Sequence, residues 1–148
     1  MRQITLGRFD ILGDADLSVA VLNLQSNTQL RTSFSATDVA MIATVASEFG
    51  RNILKYGGGR GYLLVSWIED DTRGTCAVEI QAVDYGPGFI DVETAIKDGY
   101  STGGTLGLGL PGAARIMDSL EINSQPGCGA TVTAKKWARS HARSNRGW

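Results

Sequence analysis

The 148-residue sequence has few of the residues that specialised metal or disulfide chemistry needs. It contains two cysteines, Cys76 and Cys128, and one histidine, His141, so we expect neither a disulfide framework nor a Cys/His zinc site. The two thiols are expected to be reduced. His141 lies in a polar tail and is expected to be neither a ligand nor a catalyst. A formal net charge of -1 gives no electrostatic reason to expect nucleic acid or an anionic membrane as a partner.

Long apolar runs are also missing. No stretch could span a bilayer, and residues 1–10 lack the apolar core of a signal peptide, so a cytoplasmic location is favoured. The composition, 43% hydrophobic and 20% charged, is ordinary for a globular protein. We expect one domain over residues 1–137. The tail, residues 138–148, is expected to be disordered because it has almost no apolar content.

Glycine, in contrast, is abundant: 19 glycines stand against 3 prolines. Most of them fall in four short stretches, at 57–61, 86–88, 99–112 and 127–129. Clustered glycine of this kind is typical of loops in which the backbone approaches another group closely. These stretches are therefore the candidates for a binding site.

The apolar spacing predicts an α+β domain. Residues 1–13 could be a strand or an extended arm, 14 to about 30 are predicted as a helix, and a clearer helix runs from 37 or 38 to 56. Strands are predicted at 62–68, 77–83, 121–124 and 131–137, with helices at 92–98 and about 110–120. The expected architecture is a two-layer sandwich, a mixed but mainly antiparallel sheet with helices on one face.

Glu48 and Asn52 form the first motif. They lie four residues apart and share one face of the predicted 38–56 helix, on the flank of its apolar stripe. A carboxylate and a carboxamide are costly there unless they have partners. The alternative is a surface pair in which Arg51 satisfies Glu48.

The second motif is Asp84-Tyr-Gly86-Pro-Gly88, directly after an apolar strand. A carboxylate at a strand end could accept a hydrogen bond from an exocyclic amine such as that of adenine. The two glycines would let the backbone lie against a flat ring. A simple turn is the alternative, because this is favourable turn chemistry.

The third motif is the glycine-rich loop, residues 99–112, which leads into a helix. Free N–H groups at a helix N-terminus, with glycines allowing close approach, make a phosphate cradle. A Rossmann fingerprint is disfavoured because no strand precedes the loop, and no glycine is followed by lysine as in a Walker A loop. A fourth motif, Gly129 and Thr131, opens the last strand. Thr131 could reach a water beside Asp84 if the two strands are neighbours.

In this order the four motifs resemble the GHKL (Bergerat-fold) ATPases, except that Ala130 separates Gly129 from Thr131. The stretches at 47–56, 83–91, 98–118 and 134–137 further resemble the RsbT-like serine/threonine protein kinases of the anti-sigma regulatory factor group. This resemblance is strong over about residues 37–137 and weak over 1–36.

The resemblance implies a kinase that uses ATP and Mg²⁺. Glu48 would be the catalytic base, Asn52 would also hold the metal, and Asp84 with Thr131 would bind adenine. The implied nucleotide contacts are Asn52, Asp84, Gly86, Gly88, Gly104, Leu106, Gly107, Leu108, Gly109, Leu110 and Thr131.

The implied partner is a STAS-domain protein of the RsbS or RsbR kind. Two alternatives act mainly by binding: an ATP-dependent anti-sigma factor that holds a sigma factor, and a contact activator of a PP2C-type phosphatase. A protein that only binds nucleotide is disfavoured because Glu48 is present.

Overall fold

Five strands form one antiparallel sheet in the computed structural model, which describes residues 1–87, 109–124 and 127–138. In chain order the strands are β1 (Arg2–Ile11), β2 (Gly61–Asp70), β3 (Thr75–Asp84), β4 (Ser119–Ser124) and β5 (Ala130–Ala138). Their order across the sheet is β1-β2-β3-β5-β4, and all four pairings are antiparallel. The predicted α+β class with a mainly antiparallel sheet is confirmed.

Four helices lie in the described part of the chain. They are α1 (Asp14–Ser26), α2 (Thr28–Ser33), α3 (Ala36–Tyr56) and α4 (Gly109–Ile116). None of these four combines the length and the apolar composition that crossing a bilayer requires. The predicted helix at 92–98 lies outside the described residues.

Helix α3 is the longest element and it carries the first motif. The side chain of Ser35 caps its start by accepting from the Asp38 amide at 3.1 Å. At its end, the Gly57 amide donates to the carbonyl oxygens of Asn52 at 3.1 Å and Ile53 at 3.0 Å. The predicted apolar stripe is buried against the sheet, as the sequence indicated: Ile42, Val45, Phe49 and Ile53.

The helix predicted from residue 14 to about 30 is confirmed over Asp14–Ser26, but its extension is wrong, because the helix breaks at Asn27 and the chain continues as the separate helix α2. The Asn27 side chain accepts a hydrogen bond from the Leu30 amide at 3.1 Å and so caps α2. Asparagine competes in this way with the helix that precedes it.

The helix predicted over about 110–120 is too long. Helix α4 ends at Ile116, and Leu120 belongs to β4, where it pairs with Ala134 of β5. The Asp118 carboxylate accepts from the Trp137 amide at 2.7 Å, and the Asp118 amide donates to the Lys135 carbonyl at 2.8 Å. These long-range hydrogen bonds hold Asp118 against β5. The chain therefore enters β4 at Ser119 and does not form another helical turn.

The first and last strands of the sheet lie close to the two ends of the chain. Residues 2–11 form a strand rather than a free arm, and β1 has a register shift between Thr5 and Gly7. The last strand includes Ala138, one residue beyond the expected end of the domain at Trp137. Residues 139–148 lie outside the described residues, so the expected disorder of the tail stays a prediction.

One face of the sheet packs on the helices, and strand alternation decides which side chains lie there. The buried row that faces the helices contains Val78, Ile80 and Ala82 in β3 and Ala130, Val132 and Ala134 in β5. Asp84 pairs with Ala130, so both continue the helix-facing rows. This places the Asp84 side chain between the sheet and the helix layer.

Candidate functional site

Asp84 stands at the last position of β3, and its carboxylate is held by two backbone amides. Oδ1 accepts from the Gly86 amide at 3.0 Å and from the Ala130 amide at 3.2 Å. Hydrogen bonds from N–H groups to a carboxylate are stronger than those between neutral groups. Among the described residues no hydrogen bond reaches Oδ2, so this oxygen has the capacity to accept one from a ligand.

The turn that follows Asp84 lies directly on the loop that ends α3. A Cβ atom added to Gly86 would be 2.5 Å from the Gly57 carbonyl carbon and 2.7 Å from the Gly58 nitrogen. Only glycine fits at position 86 for this reason, although its backbone is not in the left-handed region. The second motif is thereby packed against the end of the helix that carries the first.

Gly129 closes the other side of the Asp84 turn. It has φ of +82°, and an added Cβ would collide with the Asp84 carbonyl oxygen. Glycine at this position is required both by the left-handed backbone and by the close approach of two chain segments. Gly129 belongs to the fourth sequence motif, but its contact with Asp84 is evident only in the folded chain.

Glu48 and Asn52 are buried on α3, with relative exposures of 1% and 8%. Among the described residues neither carboxylate oxygen of Glu48 and neither amide atom of Asn52 has a hydrogen-bond partner. Burying such groups without partners costs on the order of 1–3 kcal/mol each, and more for a charge. A ligand or metal ion that supplied the missing partners would fit this pair.

The alternative explanation of Glu48 as a surface ion pair does not hold. The side chain is buried, and Arg51 is exposed and makes no ion pair with Glu48. The carboxylate is therefore not explained by ordinary surface electrostatics. Asn52 offers an amide oxygen, a ligand type that suits Mg²⁺.

The glycine-rich loop is described only at its end. Gly109 has φ of +69° and is the first residue of α4, and the Leu110 side chain is fully buried in the core. Leu110 can therefore serve a ligand only through its backbone. The other loop and turn glycines and leucines assigned to the nucleotide lie outside the described residues: Gly88, Gly104, Leu106, Gly107 and Leu108.

Thr131 lies away from the face that carries the Asp84 carboxylate. Its register partners are Val83 in β3 and Asn123 in β4, whereas the partner of Asp84 is Ala130. Adjacent residues of a strand point to opposite faces of the sheet. In β5 the residue that reaches Asp84 is Ala130, through its backbone amide. The sequence signal for this difference was Ala130 itself, which separates Gly129 from Thr131.

Comparison with known proteins identifies an informative relative. The serine/threonine-protein kinase RsbT of Bacillus subtilis (strain 168) is 40% identical over 121 residues. The match covers 82% of this chain and 89% of that protein. No family model matches the chain.

Proposed function

The chain belongs to the RsbT family of serine/threonine-protein kinases, and from this premise we propose that it transfers the γ-phosphate of ATP to a serine or threonine hydroxyl of a STAS-domain protein. The observation that carries the transfer step is the state of Glu48, a buried carboxylate with no hydrogen-bond partner among the described residues. A base of this kind is free to accept the proton of an incoming hydroxyl.

ATP supplies the phosphoryl group, and Mg²⁺ offsets the negative charge on its oxygens. Asn52 would hold the metal through its amide oxygen, which has no partner in the described structure. Glu48 lies one helical turn before Asn52 on the same face of α3. The same helix therefore sets the separation between the proton acceptor and the metal ligand.

Asp84 recognises the base through Oδ2, which accepts a hydrogen bond from the exocyclic amine of adenine. Its Oδ1 is fixed by the amides of Gly86 and Ala130, so the carboxylate does not have to be oriented when the nucleotide binds. We assign Thr131 no direct contact with the base, because it lies on the other face of the sheet.

The phosphates are bound by backbone N–H groups of residues 104–110, the stretch of sequence that leads into α4 and includes its first two residues. The left-handed Gly109 at the first position of that helix supports this assignment. N–H groups aimed at a phosphoryl group stabilise the charge on its oxygens during transfer. Gly88, Gly104, Leu106, Gly107 and Leu108 are included on the family resemblance.

The test is a phosphotransfer assay with purified protein, Mg-ATP and candidate STAS-domain proteins, read as phosphoserine or phosphothreonine by mass spectrometry. Glu48→Gln removes the base while nearly preserving the shape of the side chain. We expect its transfer rate to fall by about 10²–10⁴-fold, the usual contribution of general-base catalysis, with ATP binding retained.

Glu121→Gln is the matched control, because Glu121 is exposed on β4 and the same chemical change there is expected to leave the rate unaltered. Transfer at the wild-type rate in Glu48→Gln would show that Glu48 is not the base. A wild-type protein that binds ATP but modifies no STAS-domain protein would overturn the proposed substrate class.

A further inference from the structure

Gly57, the residue that ends α3, lies against the side chain of Asp84. A Cβ atom added to Gly57 would be 2.6 Å from the Asp84 Cβ and 2.7 Å from its Cγ. Carbon atoms in contact prefer about 3.5–4.0 Å, so any side chain at position 57 would push the carboxyl group away by roughly 1 Å. The lack of a side chain at Gly57 is therefore part of the geometry of Asp84.

The backbone conformation of Gly57 does not itself require glycine. Its φ and ψ are -97° and 25°, which other residues adopt without strain. Two residues on, Gly59 has φ of +75° and no atom within 4 Å of an added Cβ. The two positions therefore favour glycine for different reasons. At position 57 a side chain would collide with Asp84, whereas at position 59 the backbone is left-handed.

The contact also joins the two halves of the site. The Gly57 amide donates to the Asn52 and Ile53 carbonyl oxygens, so Gly57 is fixed to the last turn of α3. Gly86, whose amide holds Asp84 Oδ1, lies on Gly57 and Gly58. The Asp84 carboxylate is therefore positioned from three sides, by Gly57, Gly86 and Ala130.

We propose that Gly57 is a positioning residue for adenine recognition. Its bare Cα lets the end of α3 lie on Asp84 and hold the carboxylate where Oδ2 meets the exocyclic amine. This inference rests on the proposed function, in which Asp84 binds that amine. Gly57 contacts neither nucleotide nor substrate in this scheme and acts only through Asp84.

The experiment compares the binding of Mg-ATP with that of purine riboside triphosphate, which lacks the 6-amino group, by isothermal titration calorimetry. The wild-type protein is expected to prefer ATP by about tenfold or more, the usual value of a hydrogen bond to a charged acceptor. Gly57→Ala is expected to weaken ATP binding by about tenfold while leaving the analogue nearly unaffected. The preference for ATP then disappears.

Gly59→Ala is the control for a purely structural effect. It forces an L-residue into the left-handed region, so its melting temperature is expected to fall while the preference for ATP stays at the wild-type value. A Gly57→Ala protein that keeps the wild-type preference would overturn the inference and leave the proposed function intact. A wild-type protein with no preference would overturn the inference together with the assignment of Asp84 to the exocyclic amine, whereas the phosphotransfer assay would still test the kinase activity.

If Gly57→Ala does not fold, the double variant Gly57→Ala/Asp84→Gly tests the inference instead. Removal of the Asp84 side chain eliminates the two shortest contacts and leaves one, 2.9 Å from the added Cβ to the Ile53 carbonyl oxygen, so this variant is expected to fold. Its ATP affinity should equal that of Asp84→Gly alone, because Gly57 has no other route to the nucleotide. A further loss of more than about threefold would contradict the inference.

Discussion

The amide of Ala130 donates a 3.2 Å hydrogen bond to Oδ1 of Asp84, which ties the end of β3 to the beginning of β5 across 46 residues of sequence. The Gly86 amide donates to the same oxygen, so Oδ1 is held by the fold, whereas Oδ2 accepts no hydrogen bond among the described residues. The two oxygens of one side chain can therefore be tested separately.

Asp84→Asn is expected to bind ATP about 10–100-fold more weakly than the wild type while melting at nearly the same temperature. The amide oxygen of asparagine can replace Oδ1 and keep both backbone hydrogen bonds. Its NH₂ group then faces the exocyclic amine, donor against donor. Calorimetric titration measures the ATP affinity, and a thermal melt measures the melting temperature.

Asp84→Ala is the companion variant, since it removes both oxygens and should lose melting temperature as well as ATP affinity. Wild-type ATP affinity in Asp84→Asn would show that the exocyclic amine is not recognised by this side chain.

Glu48→Met is expected to stabilise the protein by about 1 kcal/mol or more, because it removes a buried carboxylate that has no partner in the described structure. For a chain of this size the melting temperature should rise by roughly 2–4 °C per kcal/mol. Urea unfolding gives the free energy directly. Phosphotransfer should be lost in the same variant.

Ser66→Ala is the comparison for that result. Ser66 Oγ is also buried without a partner among the described residues, but it lies in the middle of β2, away from the site. We expect no loss of stability and unchanged transfer. A Glu48→Met protein less stable than the wild type would show that the carboxylate is satisfied in the folded protein.

Gly50→Ala is expected to destabilise the protein by about 1–3 kcal/mol, although alanine is the better helix former. A Cβ at position 50 would collide with Cδ1 of Leu17, because α1 and α3 pack closely there. Urea unfolding measures the change. The double variant Leu17→Ala/Gly50→Ala should lose less stability than the sum of the two single changes; additive losses would contradict the collision.

The two thiols should differ in reactivity. Burial raises the pKa of the Cys76 thiol, and the nearby Glu69 and Asp71 raise it further. A raised pKa means less thiolate at any given pH near 8, and the thiolate is the nucleophile. Iodoacetamide at pH 8 should therefore alkylate the exposed Cys128 before Cys76, as read by peptide mass spectrometry. Faster labelling of Cys76 in the folded protein would contradict this.

Local patterns predicted the elements that local chemistry decides. The stripe on α3 follows from residues three and four apart, and Gly57 ends that helix as its sequence indicates. The break between α1 and α2 also has a local signal, since Asn27 lies in the polar run at residues 25–29 and is a good capping residue. The fold class and the family were both confirmed.

What the sequence could not supply is the relation between distant segments. Helix α4 ends at Ile116 because β4 pairs with β5. The residues around Ile116 carry no local signal that predicts the end of the helix. The placement of Thr131 likewise depends on the register between β3 and β5, where a shift of one residue exchanges the two faces of the sheet. The pairing of Asp84 with Ala130 became visible only in the folded protein, and the chemical roles of the site residues stay predictions.

The register shift between Thr5 and Gly7 affects how the molecule behaves in a crowded solution. Strand β1 stands at the end of the strand order, and a long regular edge strand can act as a template for the strand of another chain. The extra residue bends the edge and interrupts its ladder of amides and carbonyls. An interrupted edge of this kind disfavours pairing with the strand of a second molecule along the whole of β1.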